Sequence, residues 1–84
     1  MKNNRLDELY NAIICNESKK IVEIIKDNKV DFFFNDGFTP LTLAINNGST
    51  DIVEMLIKSG ADINLEDNNG ASPLQIAVLK EYNY

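Results

Sequence analysis

Apolar residues Leu6, Leu9, Tyr10, Ile13 and Ile14 recur at i, i+3, i+4, i+7 and i+8, the spacing of a helix with one apolar face. They predict a helix over 5–15. A second amphipathic stretch, Lys19-Lys20-Ile21-Val22-Glu23-Ile24-Ile25-Lys26, follows the polar turn Asn16-Glu17-Ser18. Further on, Leu41, Leu43, Ala44 and Ile45 are apolar on more than one face, which suits a short helix packed between neighbours. The stretch from Ser49 to Ser59 reads as another helix. Ser49 or Thr50 is its expected N-cap, Asp51 and Glu54 place negative charge near its positive end, and Glu54 with Lys58 has the favoured i,i+4 spacing. A fifth helix is predicted from Ser72 to about Lys80.

These helices fall into a repeat. Asp36-Gly37-Phe38-Thr39-Pro40-Leu41-Thr42-Leu43-Ala44 returns 33 positions later as Asn69-Gly70-Ala71-Ser72-Pro73-Leu74-Gln75-Ile76-Ala77. Gly, Pro, Leu and Ala recur identically, and a period near 33 is the length of a helix pair plus a turn. Asp-Gly and Asn-Gly are residues that tolerate left-handed backbone, so each copy is expected to begin with a tight two-residue turn at the tip of a finger. Thr39 and Ser72 are placed to cap the following helix, and Pro40 and Pro73 sit where a missing N–H costs nothing. Gly48 and Gly60 are expected to end helices as left-handed C-caps. A looser copy precedes these: Leu9-Tyr10-Asn11-Ala12-Ile13 aligns with Leu41-Thr42-Leu43-Ala44-Ile45 at a spacing of 32.

The run from Asp36-Gly37-Phe38-Thr39-Pro40-Leu41 through Leu56-Ile57-Lys58-Ser59-Gly60-Ala61-Asp62-Ile63-Asn64 resembles one complete ankyrin repeat. The resemblance implies an all-α helical solenoid of helix-turn-helix units with hairpin-like finger loops. It divides one domain, 1–84, into an irregular N-terminal repeat over about 5–31, a repeat over about 32–64 and a partial repeat over about 65–84. Where the family carries Thr-Pro-Leu-His, this chain has Thr39-Pro40-Leu41-Thr42, and Gln75 holds the matching place in the next copy. The chain contains no histidine, so bonds made by that side chain between fingers would fall to Thr42 and Gln75.

By the same resemblance, a partner protein is contacted by finger tips and the exposed side of inner helices. The positions carried over are Asn35, Asp36, Phe38, Thr42, Asn46, Asn47, Asn68, Asn69, Ala71 and Gln75, with Phe38 pointing outward as an anchor. Phe32-Phe33-Phe34 has two readings: an exposed aromatic anchor, or rings that cover the ends of the first two repeats. The position matching Gly48 in the third copy holds Glu81, and no second helix follows. The apolar residues Leu74, Ile76, Ala77, Val78 and Leu79 would then have an uncovered side. Tyr82 and Tyr84 folding back, a longer array, or another molecule, including a second copy, would each cover it.

Charge narrows the partners. With 8 basic and 13 acidic residues the chain carries a net charge of −5, which opposes phosphate contacts and argues against nucleic acid. A protein with a basic surface is the better match. No run approaches the roughly 18–20 apolar residues of a membrane span, and the N-terminus has no signal-peptide core, so a cytoplasmic chain without a membrane partner is expected. Lone Cys15 reads as a surface or half-buried thiol in a reducing compartment. With no histidine, no cysteine pair and no phosphate loop, neither catalysis nor a cofactor is expected. Asp62, Glu66 and Asp67 read as solvated loop carboxylates ahead of a metal site, and the sequons at Asn16 and Asn47 as turn residues. The expected role is non-enzymatic protein binding. Its alternatives are an inhibitor or immunity-type protein that neutralises an enzyme or toxin, and the targeting segment of a larger effector.

Overall fold

Thr39 sets the start of the central helix by a reciprocal pair of bonds. The Thr42 N–H donates to Thr39 Oγ1 at 3.1 Å and the Thr39 N–H donates to Thr42 Oγ1 at 2.8 Å, a capping box with Pro40 in the first helical turn. Ser72 and Gln75 repeat it, with the Ser72 N–H donating to Gln75 Oε1 at 2.9 Å and the Gln75 N–H to Ser72 Oγ at 3.2 Å. The computed structural model describes residues 5–26 and 30–82, and the side chains of 6–26 and 30–77. Its helices are α1 (Arg5–Ile14), α2 (Ser18–Ile25), α3 (Pro40–Asn46), α4 (Thr50–Lys58) and α5 (Pro73–Tyr82).

Three of these helices end alike. After α1, α3 and α4 a left-handed residue, Asn16, Gly48 or Gly60, lets two N–H groups turn back onto the last carbonyls, as with Gly48 N–H to Ile45 O at 3.0 Å and Ser49 N–H to Ala44 O at 3.1 Å. Asparagine tolerates this conformation, which is why the glycine-free first copy still turns at the same place. Glu81 occupies the matching place in α5, and that helix runs on through Tyr82 instead of ending near Lys80. Ser49 is the N-cap of α4 but makes no capping bond with its side chain; its hydroxyl accepts from Asn47 Nδ2 at 3.1 Å. The expected Glu54–Lys58 pair does not close: among the described residues the one ion pair within 4 Å is Lys20–Glu17, at 3.9 Å and solvent-exposed.

Helices α1, α3 and α5 form an inner row and α2 and α4 an outer one. One apolar cluster runs through the stack, with Leu9, Ala12 and Ile13 from α1, Ile21, Ile24 and Ile25 from α2, Leu41, Leu43 and Ala44 from α3, and Ile52 and Leu56 from α4. Burying each large aliphatic side chain stabilises the fold by about 1.5–3 kcal/mol. Ala12 and Ala44 are wholly buried at matching positions of adjacent inner helices. Among the described residues, the strongly exposed large apolar side chains, Leu6, Ile14, Val22, Phe33, Ile57, Ile63 and Leu74, include none from α3. The middle inner helix packs against an inner helix on each side, α1 and α5.

The finger tips differ from the two-residue turn expected of Asp-Gly. The Phe34 N–H donates to Phe38 O at 2.8 Å and the Gly37 N–H to Phe34 O at 2.9 Å, leaving three residues, Asn35, Asp36 and Gly37, in the loop. Only the glycine is left-handed, at φ 94°. This is the three-residue hairpin in which a turn is followed by one left-handed position. Asp67, Gly70 and Ala71 reproduce it with bonds of 2.8 and 2.9 Å. The fingers are tied to each other by the Asn68 N–H, which donates to Gly37 O at 2.9 Å.

Gly37 is therefore constrained twice. A Cβ added to it would lie 2.8 Å from the Asn68 Cβ, whereas one added to Gly70, at φ 83°, meets open space. Gly70→Ala should cost about 1–2 kcal/mol, the penalty of left-handed backbone alone. Gly37→Ala should cost at least about 1 kcal/mol more, because the second finger must shift. Urea unfolding of the two variants beside the parent checks the difference, and equal midpoints would contradict it.

Candidate functional site

Six of the ten sequence-predicted contact residues, Asn35, Asp36, Asn46, Asn68, Asn69 and Gln75, are exposed along the finger tips and the inner row, and Asn47 is exposed beside α3. Phe38 and Ala71 are half-buried. Thr42 has 0% exposure and drops out of any contact surface. Its hydroxyl, like the Gln75 amide, closes its own capping box, so neither residue takes up a bond between fingers. The spelling Ser72-x-x-Gln75 carries that signal in the sequence.

Phe38 also differs from the outward anchor expected. Its ring packs against the central apolar cluster. The side of the aromatic triplet that faces solvent is Phe33, at 45% exposure, while Phe34 is buried and Phe32 half-buried. Phe34 meets Tyr10 edge-on with ring centroids 5.0 Å apart and Phe32 edge-on at 5.4 Å. Such pairs add about 0.5–1.5 kcal/mol beyond area burial. Two of the three rings thus close the joint between α1 and the first finger, and the third is free for contact.

Asp36 organises the first finger tip. Its Oδ1 accepts the Phe38 N–H at 3.1 Å, and its Oδ2 accepts the Tyr10 O–H at 2.6 Å, joining the finger to α1. In the second finger the carboxylate sits earlier: Asp67, only 6% exposed, accepts the N–H groups of Asn69 and Ala71 on Oδ1, both at 2.9 Å. Asp62 Oδ1 likewise accepts the Asn64 N–H at 2.9 Å, and its own N–H donates to Asp31 Oδ1 at 2.9 Å. Asp62 and Asp67 of the acidic run thus serve turn geometry, while Glu66 is exposed. Asn47, although exposed, is tied inward, with Nδ2 donating to Ile13 O at 3.1 Å, one of the carbonyls at the end of α1. Its amide holds the α3–α4 turn onto the previous repeat.

A family model described as ankyrin repeats in three copies matches residues 9–84. The chain belongs to the ankyrin-repeat family. It is similar to tyrosine-protein kinase HTK16 of Hydra vulgaris, 37% identical over 78 residues that cover 86% of this chain and 10% of the kinase. It is also similar to NF-kappa-B inhibitor alpha of Gallus gallus, 36% identical over 74 residues, 82% of this chain and 23% of the inhibitor. A third relative is an ankyrin repeat protein of Rickettsia bellii, strain RML369-C, 46% identical over 44 residues, 52% of this chain and 18% of that protein. The ankyrin chain thus spans between 10% and 23% of the length of these relatives.

Several concavities border the ankyrin stack, two of them with apolar or aromatic walls. One, of about 310 Å³, lies between α1 and the first finger and includes Leu6, Asp7, Tyr10, Phe33, Asn35 and Asp36 in its wall. The other, of about 480 Å³, is an apolar groove beside α5 lined by Ile45, Val53, Ile57, Ile63, Pro73 and Leu74 among others. Leu74 there is 71% exposed. Of the residues expected on an uncovered side of the third inner helix, Leu74 and Ala77 line the groove, Ile76 is buried, and the side chains of Val78 and Leu79 lie outside the described residues. Of the proposed covers, Tyr84 and the side chain of Tyr82 lie outside the described residues.

The Tyr10–Asp36 bond raises the phenol pKa above its ordinary value, through the hydrogen bond first, then burial, then the carboxylate's charge. The protonated phenol is the bonded form. Its contribution to stability is therefore complete below about pH 10, the unfolded value, and is lost as pH rises through the higher folded value. NMR titration of the Tyr10 ring should show ionisation above the normal phenol range, and Asp36→Asn should bring it down. Tyr10→Phe keeps the ring contact and loses the bond, and should lower stability by about 1 kcal/mol at neutral pH.

Proposed function

We propose that this chain is a non-enzymatic module that binds another protein through the tips of its fingers and the exposed side of its inner helices. Ankyrin repeats are generally protein–protein interaction modules, and this chain carries their helices and fingers. The observation that carries the reading is the Asn68 N–H to Gly37 O bond of 2.9 Å, which holds the two finger tips side by side. A surface ordered before binding loses less conformational entropy on binding. Asn35, Asp36, Asn46, Asn68, Asn69, Ala71 and Gln75 make up the proposed contact set, with Phe33 in the anchoring place first assigned to Phe38. Thr42, Phe38 and Asn47 serve the fold.

The contact set is rich in amides, which donate and accept, and holds one carboxylate and no cation. With a net charge of −5 the module suits a partner with a basic surface, whose approach the field assists. Among the described residues no helix is long and apolar enough to cross a membrane. Exposed Cys15 fits a reducing, cytoplasmic setting.

Affinity capture from the source cells, with the chain beside two variants, tests the reading. Asn35→Arg with Asn69→Arg places positive charge on both finger tips, and Glu23→Arg places it on outer helix α2. A partner lost or bound at least about tenfold more weakly by the finger variant, and retained by the α2 variant, is the expected outcome. Retention by both variants would remove the finger tips from the interface.

A second reading rests on the apolar groove. Exposed apolar side chains occur on the first repeat, at Leu6, Ile14 and Val22, and beside α5, at Ile57, Ile63 and Leu74, so one copy has apolar surface to offer the next in a head-to-tail contact. Sedimentation velocity should then show mass rising with concentration, and Leu74→Glu should abolish the rise. A monomer at all concentrations would refute self-association and leave the protein-binding reading standing.

A further inference from the structure

We propose that the cavity between α1 and the first finger is a receptor for an arginine side chain of the partner protein. This rests on the protein-binding reading and assigns chemistry to one part of its surface. The cavity of about 310 Å³ carries two carboxylates, Asp7 and Asp36, an amide, Asn35, and aromatic or apolar wall from Phe33, Tyr10 and Leu6. Both carboxylates are exposed, and among the described residues neither has an ion-pair partner within 4 Å, the one such pair being Lys20–Glu17.

Asp36 is held in place without being used up. Its oxygens accept the Tyr10 O–H and the Phe38 N–H, one bond each, and a carboxylate offers about four lone-pair sites. The carboxylate is therefore oriented by the fold and still able to accept from a ligand. Phe33 adds a ring 45% exposed at the wall of the same cavity. Phe34, edge-on to Tyr10 at 5.0 Å, fixes the wall from behind.

These features select a ligand class. Two exposed carboxylates repel anions and favour a cation over an apolar side chain. A cation satisfies them, and the aromatic wall distinguishes between cations. A guanidinium is planar, weakly hydrated, stacks on aromatic rings and donates in parallel to carboxylate oxygens, whereas an ammonium is a strongly hydrated point charge. The acidic chain would draw such a residue toward the cavity before contact.

The probe is N-acetyl-arginine methylamide, titrated into the uniformly nitrogen-15-labelled chain and followed by NMR, with the lysine and norleucine analogues alongside. Saturable shifts centred on Asp7, Tyr10, Phe33 and Asn35, weakened by added salt and stronger for arginine than for lysine, are expected. Phe33→Ala and Asp7→Asn, both at exposed positions, should each weaken arginine binding roughly two- to fivefold while leaving the circular dichroism spectrum unchanged. No saturation, an equal response to lysine or norleucine, or binding indifferent to both substitutions would overturn the assignment. The two readings fail separately: a finger-dependent partner with no arginine response removes only the pocket, and an arginine response with no finger-dependent partner removes only the wider surface.

Discussion

Gly37 is where two repeats meet backbone to backbone. Its carbonyl accepts the Asn68 N–H, its left-handed φ closes the first finger, and its missing side chain admits Asn68 to a distance no Cβ would allow. A finger of three loop residues closed by two main-chain bonds has little stability alone. Set against its neighbour, it becomes part of a stacked edge. The apolar cluster beneath works in the same way, because each helix pair buries only one side against itself and needs the next to cover the other.

The first repeat reaches this arrangement by different chemistry. It lacks the Thr-Pro entry and the glycine, so Asn16 supplies the left-handed turn after α1, and Tyr10 and Asp36 supply a side-chain tie between α1 and the finger. Phe34 fills the place that buried Asp67 holds in the second finger. One finger is thus braced by an aromatic cluster and a carboxylate at its tip, the other by a carboxylate at its base. The difference leaves Asp36 exposed and gives the first finger an acidic, aromatic character absent from the second.

The repeat architecture was legible because it is written in local rules. Thr39-Pro40 and Ser72-Pro73 announce helix starts, Gly48 and Gly60 announce stops, and the apolar spacing marks Leu9 and Ile13 of α1, Ile21, Ile24 and Ile25 of α2 and Ile52 and Leu56 of α4 as buried, though Leu6 and Ile14 of the same α1 pattern are exposed. The candidate surface was legible only as a set of positions. Thr42 looked available and is buried, Phe38 looked outward and packs inward, and Asn47 looked free and caps α1 across the repeat boundary. For Phe38 the deciding contact is set by the finger turn, and for Asn47 by a carbonyl 34 positions away, so spacing along one helix carries no record of either; Thr42 is instead engaged by the capping box three residues back.

What the sequence determined by itself is the period, the helix boundaries to within a residue or two, and the family, since these follow from propensities, caps and turn residues that act within a few positions. The tertiary structure alone decided which of Phe32, Phe33 and Phe34 turns outward, that Asp36 is anchored by Tyr10, and where the concave wall opens into a cavity. The physical reason is range. A capping box closes over three residues and is spelled in the chain, whereas the Tyr10–Asp36 bond spans 26 and exists only once stacking has brought α1 against the finger.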